Sequence, residues 1–248
     1  MISVTFDNLG EVSALERGQW PAGEPLGRHD SVTRALPRIL ELLDGVDLRA
    51  TFFVEGLNTE LYPDTLRQLA AAGHEVAYHG WRHEQWSELD PGAERESLER
   101  GVRALDGLGL RPVGFRPPGG ELTPATPALL RELGFTYCSP EATTAEPFDG
   151  LAVLPFRWPL VDAFHCLPHF AARRERLLGT GEPQAPSRLH EEIAAALEEP
   201  DDFVALLFHP FLLDDAERFA VLRDALERVR ASGVACLPCR DVAASVVP

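Results

Sequence analysis

Two histidines four residues apart, in His79-Gly-Trp-Arg-His83, directly follow a short apolar run at Glu75–Tyr78. That run reads as a buried strand. Imidazoles placed just past a strand end can turn toward one point, as the first two protein ligands of a divalent transition metal must. Other chemistry-bearing residues hold the same relative position. Asp7-Asn8 follows the run Ile2–Phe6, Arg116-Pro-Pro-Gly-Gly120 follows Val113–Phe115, and His209-Pro210 follows Phe203–Phe208. A carboxylate, a guanidinium and a third imidazole beside a metal would supply a base, a positioner and an acid. Each residue also has a plainer reading. The histidine pair could make local hydrogen bonds, Asp7 could cap a turn, Arg116 could form a surface ion pair, and His209 could simply end a strand. The shared placement at strand ends favours chemistry over these four separate accidents.

The elements that would hold these residues alternate along the chain. Strands are expected at Ile2–Phe6, Ala50–Val54, Glu75–Tyr78, Val113–Phe115, Thr136–Cys138, Ala152–Pro155, Phe203–Phe208 and Val234–Leu237. Amphipathic stretches predict helices at Ser31–Leu43, Pro63–Ala72, Pro91–Leu108, Pro124–Leu133, Ser187–Glu198 and Asp215–Ala231. Asp30 or Ser31, Asp90-Pro91 with Glu94, and Thr123-Pro124 carry helix-start chemistry. Gly73, Gly109, Gly134 and Gly233 follow helices, where a left-handed residue commonly ends the turn. Strand-helix alternation implies a parallel sheet. Seven or eight repeats in one domain spanning 1–248 favour a closed or nearly closed β/α barrel, whose chemistry gathers at the C-terminal strand ends. The segments Asn8–His29 and Phe156–Pro186 are too long for plain connections and read as lids or pocket walls.

Bulk properties narrow the partners. The 248 residues carry a formal net charge of −16, which repels phosphate backbones and anionic lipid. Neither nucleic acid nor membrane is therefore expected as a partner, and no apolar run is long enough to span a bilayer. The N-terminus enters a strand without the basic and apolar regions of a signal peptide. Four cysteines, Cys138, Cys166, Cys236 and Cys239, are too few for a disulfide framework in a chain of this size. They read as reduced thiols, and the protein as cytoplasmic. Cys236-Leu-Pro-Cys239 has redox-motif spacing but no helix start of the usual kind, and reads as structural. His165 and His169 form a second four-apart pair, interrupted by Pro168 and flanked by no carboxylate motif; a packing or pocket role is expected.

The ordered motifs resemble those of the polysaccharide deacetylase (NodB-homology) family, the carbohydrate esterases of family four. Val4-Thr-Phe-Asp-Asn8 is similar to its first motif, His79-Gly-Trp-Arg-His83 to its second, Arg116-Pro-Pro-Gly119 to its third and Leu206-Leu-Phe-His-Pro210 to its fifth. The resemblance runs from about Ile2 to Leu237. It implies a distorted (β/α) barrel of about seven parallel strands. It implies Asp7 as general base, His79 and His83 as ligands of a divalent metal, commonly zinc, Arg116 as the residue orienting Asp7, and His209 as general acid. Asn8 stands where most relatives carry the third ligand, an Asp. Trp158-Pro-Leu-Val-Asp162 is a weak match to the fourth motif and would give Asp162 the task of orienting His209. Trp81, Pro117, Trp158 and Leu207 are expected in the substrate pocket. Gly80 replaces a hydroxyl residue between the histidines, and Gly119-Gly120 replaces a tyrosine often found there, so a reshaped pocket is expected. The implied activity is metal-dependent hydrolysis of a non-peptide C–N bond, foremost N-deacetylation of an amino sugar or similar small amide. Ring opening of a cyclic imide or ureide, and non-catalytic binding on the same scaffold, are the alternatives. The expected partner is a small-molecule or saccharide substrate; no interface signature indicates an oligomeric state.

Overall fold

Runs of β-branched and aromatic residues that are apolar on both faces form strands covered on both sides, as a parallel sheet requires. In a computed structural model of the chain, residues 1–142, 150–198 and 201–246 are described. The strands are β1 (Ile2–Asp7), β2 (Thr51–Val54), β3 (Glu75–Tyr78), β4 (Gly114–Phe115), β5 (Tyr137–Cys138), β6 (Ala152–Val153) and β7 (Val204–Phe208), and every residue in them is buried. They form one seven-stranded sheet in the order β6-β5-β4-β3-β2-β1-β7, with every pairing parallel. The sheet curls into a distorted (β/α) barrel, as expected. Its ladder does not run from β6 to β7; a single bridge between Val161 and Leu207 spans that seam.

The eighth expected strand, Val234–Leu237, does not form. Its contact with β1 is one bridge, Ile2 to Cys236, made by Ile2 N–H to Ala235 O and Leu237 N–H to Ile2 O, at 2.9 and 3.0 Å. From Thr5 onward that side of β1 is taken by β2. Pro238 then has no N–H to extend the ladder.

The helices are α1 (Val12–Glu16), α2 (Leu36–Gly45), α3 (Asn58–Leu61), α4 (Pro63–Ala71), α5 (Pro91–Asp106), α6 (Thr126–Glu132), α7 (Asp162–Cys166), α8 (Ala171–Leu178), α9 (Pro186–Glu198), α10 (Ala216–Ser232) and α11 (Cys239–Val246). Asp90 caps α5 as its sequence predicts, accepting from Gly92 N–H and Ala93 N–H at 2.8 and 3.0 Å. Helix α6 starts two residues later than expected. Thr123 and Thr126 instead direct their hydroxyls to the buried carboxylate of Glu94, which ties α6 to α5. The long segment Phe156–Pro186 is not loop. It holds α7 and α8, folded around Arg174, whose side chain is fully buried. The Arg174 guanidinium donates to the carbonyls of Phe164, Leu167 and Gly181, at 2.6 to 3.3 Å. All four cysteines are free. Among the described residues, no helix is long and apolar enough to cross a membrane.

Candidate active site

Parallel strands in register deliver the residues that follow them to one rim. Asp7 closes β1, and Asn8 follows it in the left-handed region at φ 61°. Past β3 the chain turns at Gly80 and again at His83, with φ of 77° and 68°. These turns bring the His79 and His83 rings to a centroid separation of 5.1 Å. His79 Nε2 lies 3.8 Å from Asp7 Oδ2. Arg116 follows β4, is 1% exposed, and donates to Asp7 Oδ1 at 2.8 Å. Its remaining hydrogen bonds go to Thr5 Oγ1 and Ser139 Oγ, and Phe53 lies 4.0 Å beneath its guanidinium carbon. Each face of this buried cation is thus occupied, which holds the Asp7 carboxylate in one place.

His209 follows β7, next to β1. Its Nδ1 lies 2.6 Å from Asp162 Oδ1, and its backbone N–H donates to Asp162 Oδ2 at 2.8 Å. With Nδ1–H directed at the carboxylate, Nε2 is the nitrogen left for other work. Asp162 opens α7, so the pairing crosses the seam between β6 and β7. The structure therefore brings Asp7, Asn8, His79, His83, Arg116 and His209 to the wall of one pocket of about 560 Å³, with Asp162 directly behind His209. Pro117, Trp158 and Leu207 also line it. Trp81 does not. The turn at Gly80 carries its ring away from the rim, into the space over Gly56, where even a Cβ would lie 2.4 Å from Trp81 Cε3. The guanidinium of Arg100 stacks on the ring at 3.7 Å.

Burial lowers the pKa of His79 to about 3, with the Arg116 and His209 charges adding to it. Burial also pushes His83 well below the ordinary imidazole range, helped by His79 and Arg17. Both rings are neutral at physiological pH, the state in which imidazole binds metal. His79 Nδ1 lies 2.8 Å from the Arg116 carbonyl, which accepts its proton and leaves Nε2 as the lone-pair nitrogen. Among the described residues, no three His, Cys, Asp or Glu side chains form a ligand cluster. Asn8 lines the same pocket, and its buried Oδ1 has no hydrogen-bond partner among the described residues. Two neutral imidazoles and an unsatisfied amide oxygen fit a divalent metal, with one carboxylate charge fewer than an Asp would give.

Several residues in and behind the pocket were not anticipated from sequence. Ser139, which braces Arg116, directly follows β5 and obeys the same strand-end rule as the others. Arg17, Arg173 and Arg176 line the pocket from the turn after α1 and from the α7–α8 wall. Of the His165–His169 pair, His165 is buried with Nε2 on the Pro159 carbonyl at 2.9 Å, while His169 faces the pocket.

The polysaccharide deacetylase family profile matches residues 1–138. A peptidoglycan deacetylase-like protein of Gibberella zeae is 35% identical over 146 residues, 55% of this chain and 42% of that protein. The match covers less than half the length of that relative, and 35% of a peptidoglycan deacetylase of Helicobacter pylori. A crystal structure of a candidate polysaccharide deacetylase from Mycobacterium smegmatis is 32% identical, with a TM-score of 0.82 over 99% of this chain and 89% of that one.

Proposed function

Since the chain belongs to the polysaccharide deacetylase family, we propose that it is a metal-dependent hydrolase that removes the acetyl group from an N-acetylated amino sugar. The observation that carries this reading is the placement of Asp7 and His209 at the ends of adjacent strands, in one pocket with the neutral His79–His83 pair. His79, His83 and Asn8 would hold the metal. A divalent ion bound there supplies Lewis acidity toward an amide carbonyl and acidifies water. Asp7, fixed by Arg116, accepts the proton from the attacking water. His209 Nε2, oriented through Asp162, delivers a proton to the departing nitrogen, which would otherwise leave as an unstable amide anion. Trp158 and Leu207 give the sugar an apolar wall.

The test is acetate release by the zinc-loaded protein from a panel of N-acetylhexosamines and their oligomers, with a cyclic ureide alongside. Acetate is expected from at least one sugar, and Asp7→Asn is expected to lower kcat by about 100-fold or more. Ring opening of the ureide without acetate release, or full turnover after His79→Ala, would refute the proposal.

A further inference from the structure

We propose that the pocket is built for a substrate bearing an anionic group, a carboxylate or a phosphate, held by Arg17 and Arg176 beside the reacting amide. This rests on the deacetylase reading and narrows its substrate class. The chain as a whole is strongly acidic, with 39 carboxylate side chains against 23 cations. The pocket reverses that balance. Its two carboxylates are already answered, Asp7 by Arg116 at 2.8 Å and Glu121 by Arg173 at 3.7 Å. Arg173 also pairs with Glu141 at 2.7 Å and stacks over Trp158. Arg17 and Arg176 line the same pocket, and neither side chain has a hydrogen bond or ion pair among the described residues.

The plainer reading is two solvated surface arginines. Three observations weigh against it. Many arginines elsewhere on this surface do have a carboxylate partner, including Arg34, Arg67, Arg95, Arg157 and Arg188. Arg176 stands three residues beyond Arg173 on α8, hence on the same helix face, the one turned to the pocket. Arg17 and Arg176 are both exposed side chains, yet both open onto this one pocket, Arg17 from the turn after α1 and Arg176 from α8, so two cations face it from separate elements. Two cations without a counter-charge among the described residues leave the pocket a positive site that an incoming anion can answer with charge-assisted hydrogen bonds.

The experiment compares N-acetylglucosamine with its 6-phosphate and with the corresponding uronic acid. The zinc-loaded enzyme is assayed for turnover, and zinc-loaded Asp7→Asn protein is titrated calorimetrically for binding. At least one anionic sugar is expected to exceed the neutral parent about 10-fold in kcat/KM, and the phosphate and carboxylate arms show which anion is preferred. The preference should reside in KM and shrink as salt is raised. Arg17→Gln combined with Arg176→Gln should bring the anionic-to-neutral ratio near one, Arg17→Lys should retain most of it, and Arg157→Gln, outside the pocket, should leave it unchanged. Arginine-dependent binding of anionic sugars without acetate release from any sugar supports the anion site and refutes the deacetylase reading. Acetate release with equal kcat/KM for all three sugars, a preference that survives the double variant, or no tighter binding of the anionic sugars overturns the anion site.

Discussion

At the scale of single residues, the centre of the site is a buried ion pair rather than a surface contact. Arg116 and Asp7 are both buried, and Arg116 reaches Thr5 and Ser139 as well. Removing one partner of such a pair leaves an uncompensated charge out of water, at a cost of about 3–5 kcal/mol. Arg116→Met keeps the apolar stem over Phe53 but removes the charge. It is expected to lower the unfolding free energy by about that amount, measured from urea midpoints, besides impairing turnover. Asn8 departs from the family pattern in the opposite direction. It introduces no charge, and its unsatisfied Oδ1 is an oxygen donor in search of a partner.

At the scale of elements, strand ends and helix faces were unequally legible. Asp7, His79, Arg116 and His209 each follow a short, mainly apolar run, so their shared rim could be read from sequence alone. Asp162 was matched to His209 only through a weak motif, and the helices of the wall that carries it were not read, because Phe156–Pro186 has mixed polarity and Pro159, Pro168 and Pro183 interrupt its periodicity. Its fold depends on Arg174 meeting the carbonyls of Phe164 and Leu167 before α8 and of Gly181 after it. Trp81 was misplaced because a left-handed glycine reverses the direction of the next side chain, and a motif does not show that reversal. Element packing also yields a quantitative contest at Gly101. This glycine lies inside α5, where alanine would gain about 1 kcal/mol in helix propensity. A Cβ there would sit 2.1 Å from Tyr78 Cε2, however, because α5 packs directly on β3. Tyr78 is fully buried and bonded to the Ser97 carbonyl, so it has no room to yield. Overpacking costs of about 1–3 kcal/mol should prevail. Gly101→Ala is therefore expected to lower the thermal midpoint and to weaken zinc binding through the displaced His79, measured by calorimetry.

For the molecule as a whole, buried histidines tie stability to pH. His74 is buried at the start of β3, with its Nδ1 accepting from Ala50 N–H at 3.1 Å. Burial, with Arg49 adding, lowers its pKa to about 4. The unfolded chain takes up this proton near pH 6.5 and the folded chain does not, so folding is penalised progressively as pH falls from 6.5 toward 4. The stability advantage of the wild type over His74→Gln should be constant above pH 6.5. It should then decline by up to about 1.4 kcal/mol per pH unit on acidification, in urea titrations at pH 7, 6 and 5. A difference that stays flat across that window would show that His74 is not held neutral. One feature of the seam between β6 and β7 has a mechanical meaning. Arg174 fixes the α7–α8 wall through fixed-geometry hydrogen bonds, and the same wall supplies the carboxylate that orients His209. The carbonyls that Arg174 grips and the carboxylate that grips His209 thus share one short stretch of chain, and Arg174→Met would loosen the pocket wall and the His209 ring together.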